Sequence, residues 1–251
     1  MVDDASVGDG PARRSLNGLR LAVVREITAA LDGVPAEQVP ERLCGAVLGL
    51  LPVRGLALNL TAEGIYTTPL CATDPTALRL AEIQFTLGEG PGVRAAEVFA
   101  PVLAPDLATD AGRWPLFVPQ ALQTGARAVY SIPLGNSTVV IGTLDLYRDV
   151  EGRLEPQDLA AAVIAADAST AVLAALDHTA TSDEGVASWL HDAGQAHNEV
   201  YQAVGMLMVR LGCRADEALL LLRARAFREG RTAAEVAHAV MHRRIHFDES
   251  D

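Results

Sequence analysis

Lysine is absent from this 251-residue chain, and all 20 of its basic side chains are arginine. That usage alone fixes no mechanism. Cysteine is scarce: Cys44, Cys71 and Cys213 lie far apart and form no CxxC pair. Their spacing excludes the usual thiolate zinc patterns and predicts buried thiols in a reducing compartment. No apolar run approaches the roughly 18 uninterrupted residues of a membrane span. Met1 to Arg14 is acidic and lacks an apolar stretch. Neither a signal peptide nor a membrane helix is therefore predicted, and the expected location is cytoplasmic. The chain has no P-loop and no GxSxG. The segment Gly88-Glu89-Gly90-Pro91-Gly92 shares only its glycines with a dinucleotide loop, since Pro91 interrupts it and the downstream acid is missing. The expectation is a protein that is not an enzyme, with no cofactor and no metal.

What is present is apolar bulk and uneven charge. Half of the residues are apolar, enough for one or two domain cores. The formal net charge is -12, yet residues 198–246 carry eight arginines against five acids. A basic end on an acidic body suggests an output module that meets a polyanion.

Periodicity divides the chain. Residues 1–14 read as a disordered tail. Leu19, Val23, Ile27 and Leu31 step by four and predict a helix ending at Gly33. Pro40 opens a second helix through Leu51. Alternation at Leu56, Leu58 and Leu60, a turn at Glu63-Gly64 and the run Ile65 to Cys71 predict a β-hairpin. Pro75 begins a helix toward Phe85, and Leu87 to Gly92 reads as irregular. A second hairpin is predicted from Ala128 to Leu134 and Val139 to Tyr147, and Pro156 starts a helix reaching about His178. This order predicts an α+β domain, an antiparallel sheet with packed helices, over residues 15–179. Residues 180–186 read as a linker. Val186, Leu190, Ala193, His197, Val200, Val204, Leu207 and Leu211 then form a stripe that suits a coiled-coil seam or a core face. Of the two, the seam is the expectation.

Residues 187–247 read as an all-α module of three short helices. Gly212 and Gly230 stand where left-handed C-caps end helices, and Thr232 with Glu235 forms a capping box. The runs Ala203 to Met208 (AVGMLM), Asp216 to Leu219 (DEAL), Leu222 to Phe227 (LRARAF) and Glu235 to Ala237 (EVA) resemble the ANTAR family. That resemblance implies binding to hairpins in nascent RNA, prevention of transcription termination, and pairing of two protomers. Upstream, Glu89 to Gly92 (EGPG), Pro105 to Asp110 (PDLATD), Arg113 to Phe117 (RWPLF), Gly125 to Ala128 and Gly142 to Arg148 (GTLDLYR) resemble the GAF domains found with ANTAR domains in actinobacterial regulators. A sensor and dimerisation domain, with an unknown small-molecule or protein signal, is implied. Many relatives carry cysteine after the EGP loop where this chain has Gly92, which argues against thiol sensing there. In the GAF-like proteins that reduce methionine sulfoxide a third cysteine acts, and residues 15–179 hold only two.

Arginine matches phosphate with a planar fork of donors and stacks on bases. The candidate RNA-contacting residues are Gln202, Ala203, Gly205, Arg223, Arg225, Arg228, Arg231, Thr232, Arg243 and Arg244. The family pattern places lysine before the glycine of the first helix, and Val204 stands there instead, removing one basic contact. The candidate lining of a GAF pocket is Phe85, Trp114, Phe117, Tyr130 and Asp145, with core packing as the alternative for the aromatic residues and a rim pair with Arg148 or Arg127 for Asp145. His238, His242 and His246 share a helical face without a fourth ligand, so a titratable surface is expected in place of a metal site. Two other readings stay open: a DNA-binding helix-turn-helix output, and a module that only assembles protein dimers.

Overall fold

The structure is a computed structural model. It describes residues 11–62, 66–135, 139–180, 195–245 and 247. Helix α1 (Pro11–Leu31) leads through a 3-10 turn (Ala36–Gln38) to α2 (Val39–Leu50). The predicted hairpins are β1 (Gly55–Ala62) with β2 (Tyr66–Ala72), and β4 (Ala128–Gly135) with β5 (Val140–Arg148). Between them stand α3 (Pro75–Leu87), α4 (Pro91–Val98), β3 (Val102–Ala104), a 3-10 turn (Thr109–Gly112) and α5 (Phe117–Gln123). Helix α6 (Pro156–Ala180) closes this half. α1 starts at Pro11, so residues 11–14 of the expected tail are helical, and residues 1–10 lie outside the described residues.

The strands form one antiparallel sheet in the order β2-β1-β5-β4-β3. Alternation sends Leu56, Leu58, Tyr130, Ile132, Leu144 and Leu146 to one face, under α1, α2 and α6. Ala57, Val129 and Tyr147 face the other way, against α3, α4 and α5. The second face carries a polar centre of Asn59, Ser131, Thr143 and Asp145, all buried.

Three local expectations change. The Leu87 to Gly92 segment is half regular: Gly88 caps α3 in the left-handed region (φ 62°), and Pro91 then opens α4 at the position where a missing N–H costs nothing. Cys44 and Cys71 are joined by a disulfide between α2 and β2, where free thiols were expected. Only Cys213 stays a thiol. Residues 156–176 of α6 are also long and apolar enough to cross a membrane by length and composition, with a mean hydropathy of 2.0, against the expectation of no such segment. Its Ala161, Ala162, Ala165, Ala166 and Leu173 are buried in the first core, and 33% of the apolar window is buried in all.

Candidate nucleic-acid interface

Three helices make the C-terminal module: α7 (Gln195–Leu211), α8 (Ala215–Glu229) and α9 (Ala233–Met241). Glu217 accepts the Arg214 N–H at 3.0 Å and starts α8, and Gly230 (φ 65°) stops it. The predicted capping box is formed: Thr232 Oγ1 accepts the Glu235 amide at 3.1 Å, and the Glu235 carboxylate accepts the Thr232 amide at 2.7 Å. Val200, Val204, Leu207, Leu219, Leu222, Val236 and Val240 fill the core between the helices. The described half of the Val186 to Leu211 stripe is therefore a core face and not an exposed seam. Its beginning, like the expected linker, lies outside the described residues.

The arginines fall into three environments. Arg228 and Arg244 are exposed. Arg225 and Arg231 flank Glu229, Arg225 through its Nε and Arg231 at 3.1 Å. These two bonds, Arg225 first, hold the Glu229 carboxyl below its usual range. Arg231 also donates to the Glu235 backbone oxygen at 2.6 Å instead of pairing with its carboxylate. Arg223 leaves the set, because its guanidinium lies 4.8 Å from the centre of the Phe85 ring of α3. Phe227 (49% exposed) and Leu220 (67% exposed) share the solvent side of α8.

Gln202, Gly205 and Arg243 line one groove of about 910 Å³ between α7 and the end of α9. Met206, Val209, Arg210, Met241 and Ile245 complete its walls. The backbone turns at Arg243, which takes a left-handed conformation (φ 54°) where glycine is usual, so an arginine stands at the groove despite the conformational cost. Two candidates are corrected. Ala203 is fully buried, so its side chain supports packing and presents nothing to a ligand. Thr232 is buried too, with its hydroxyl committed to the cap. Val204 also points into the core, so the basic contact the resemblance expects is replaced by packing. Sequence reading missed Arg210, Met206 and Val209; the signal was Val209, apolar yet off the stripe and 89% exposed.

The residues proposed for a sensor pocket do not meet. Trp114 and Phe117 pack in the second core, Tyr130 in the first, and the Tyr130 hydroxyl donates to the Gly152 carbonyl oxygen. Asp145 is not a rim carboxylate. It is buried, accepting from Gln84 Nε2 at 2.7 Å and Asn59 Nδ2 at 3.1 Å, while Gln84 Oε1 accepts the Gly92 amide at 2.6 Å. Burial pushes the Asp145 carboxyl up, while the polar groups of Ser131, Gln84, Thr143 and Asn59 pull the other way. Other motif residues also have structural work. Glu89 Oε1 accepts the amides of Leu116 (2.8 Å) and Phe117 (3.0 Å) at the start of α5. Arg113 bonds Asp110 at 2.8 Å and covers Trp114.

Phe85 departs furthest from expectation. It is 2% exposed, but within the core of the C-terminal module. Its neighbour Thr86 accepts the Ala233 amide at 3.0 Å. The histidine face is intact as far as it is described: His238 and His242 rings lie 4.1 Å apart, and His238 Nδ1 is 3.0 Å from Glu199. His246 lies outside the described residues. No group of three metal-ligating side chains occurs among the described residues.

Comparison with known proteins gives a family match in the C-terminal part and a fold match in the N-terminal half. Residues 190–241 match the family model of the ANTAR domain. The N-terminal half has a GAF-like fold. It is similar to the GAF domain of a phosphoenolpyruvate-protein phosphotransferase from Coxiella burnetii, at 17% identity and a TM-score of 0.51 over 65% of this chain and 98% of that one. The corresponding domain from Acinetobacter aligns at 13% identity and a TM-score of 0.49, over 65% and 98% of the two chains. No curated protein matches the chain.

Proposed function

We propose that this chain is a cytoplasmic RNA-binding regulator of transcription termination, in which a GAF-like sensor controls an ANTAR output domain. The output domain binds hairpins in nascent RNA as a homodimer, and two linked sites make weak single-loop binding strong through effective concentration. The GAF-like half receives a small-molecule or protein signal. One observation carries the reading: Arg228 within residues 190–241, and Arg243 and Arg244 just beyond them, face solvent beside a groove walled by Gln202, Gly205, Arg210 and Arg243. Apolar walls with guanidinium rims suit an unstacked base and its phosphates.

The helix-turn-helix reading has less support. The exposed side of α9 offers Glu235 and His238, with no arginine, asparagine or glutamine to read base edges. Fluorescence anisotropy with a two-hairpin RNA, the matching duplex DNA and a single strand, across a salt series, tests the proposal. Hairpin-dependent binding that weakens with salt is expected. Preference for duplex DNA would overturn it, and equal indifference to all three would favour a module that only assembles protein.

A further inference from the structure

Helix α3 belongs to the sensor by sequence, yet its last turn is shared between the two halves. Gln84 points inward, where it holds both Asp145 and the Gly92 amide. Phe85 points outward into the core of the output module, under the Arg223 guanidinium. Thr86 takes the amide of Ala233, in the first turn of α9. Gly88 brings the chain past Arg223: a Cβ there would lie 3.4 Å from an Arg223 guanidinium nitrogen.

We propose that this turn is an inhibitory latch, which holds the output module against the sensor with Arg223 and the start of α9 covered, and that RNA binds the form in which the latch has opened. The proposal rests on the RNA-binding reading and concerns the regulation of that same output module. Three features support it. The contact takes from the arginine set a side chain that could otherwise reach phosphate, and it consumes a first-turn N–H of α9. It also contains its own weakness. Glu82, one turn before Phe85, carries a carboxyl that burial, first, and the charge of Glu235, last, push up, while the Arg79 guanidinium 3.5 Å away pulls only part of the way back. Finally, the turn is wired to the sensor's interior, since a rearrangement of the Asp145–Gln84–Gly92 group moves the residue adjacent to Phe85. The observed state is then the closed one, and affinity for RNA is reduced by the small fraction of open molecules.

The test uses the full chain, the two-hairpin RNA at one salt concentration, and hydrogen exchange of the Ala233 to Glu235 amides without RNA. Thr86→Val deletes the acceptor and leaves the module's core intact. It should speed exchange and tighten RNA binding about fivefold. Phe85→Ala should open the latch further, but it also hollows the module's core, so the decision rests on Thr86→Val. If exchange speeds up in Thr86→Val while RNA affinity is unchanged, the contact is not inhibitory. Exchange unchanged in Thr86→Val would equally overturn the latch. If no form binds RNA, opened variants included, the RNA reading itself has failed and the inhibitory role falls with it.

Discussion

Replacing Gly92 with alanine tests the reading of the sensor's interior. A Cβ at residue 92 would lie 2.6 Å from Asp145 Oδ2, 3.0 Å from Oδ1 and 3.1 Å from Gln84 Oε1. None of these atoms can swing away freely. Asp145 is tied by Gln84 and Asn59, and Gln84 Oε1 is tied by the Gly92 amide. Either the α4 start shifts, which is overpacking at about 1–3 kcal/mol, or a buried hydrogen bond breaks, at about 1–3 kcal/mol. Gly92→Ala should therefore cost about 1–3 kcal/mol. For a domain of this size that lowers the Tm by about 2–12 °C. Urea denaturation followed by circular dichroism measures it. Combining Gly92→Ala with Asp145→Ala removes the obstacle, so the double variant should be about 2 kcal/mol more stable than the sum of the single losses implies. A Gly92→Ala protein within about 0.5 kcal/mol of wild type, the ordinary spread of surface substitutions, would refute the close packing of α4 on Asp145.

Asp145 also gives a pH prediction. Its folded carboxyl titrates above its unfolded value, so the folded state holds the proton more tightly between the two. The protonated form's stabilising contribution is complete below the unfolded pKa and is lost as pH rises through the folded one. Asp145→Asn should flatten this fall in weakly acid solution, as read from urea midpoints at several pH values; an unchanged slope would contradict it. Reducing the Cys44–Cys71 disulfide, which spans 27 residues, should cost about 3–4 kcal/mol by loop closure, read as a lower urea midpoint with reductant than without. In the output module, Leu222→Ala should cost about 2–5 kcal/mol, since Leu222 is fully buried. Arg228→Ala and Arg244→Ala should each reduce the salt slope of RNA binding by about one; an unchanged slope would remove that arginine from the interface.

Elements with strong local chemistry were legible in the sequence. Apolar steps of four, proline starts at Pro40, Pro75 and Pro156, the Thr232–Glu235 cap and Gly230 placed most of the long helices, and alternation placed both hairpins. α4, β3 and α5 were not legible, because elements of 8, 3 and 7 residues are too short for a period to emerge. The disulfide was hidden for another reason. Cys44 lies on a helix and Cys71 on a strand, and their approach is set by how α2 packs on the sheet. In the output module the resemblance gave the right helices, but whether each residue faces in or out needed the structure. Ala203 and Val204 proved inward, and Gln202 and Gly205 groove-facing.

The pocket candidates fail on parity. In the β4–β5 register Tyr130 stands opposite Leu146, and Ser131 opposite Asp145. Opposed residues share a face and neighbours in sequence do not, so Tyr130 and Asp145 lie on opposite sides of the sheet once the register is known. Asp145 then faces α3 and α4, which is also the side from which Phe85 leaves the sensor. A buried carboxylate under the start of α4 costs the sensor stability, and an amide at Gln84 offsets part of that cost. Because Gln84 and Phe85 are adjacent on α3, the residue that satisfies the sensor's interior and the residue that anchors the output module cannot move independently. A change in what Gln84 bonds that also shifts the α3 backbone would therefore move Phe85 with it.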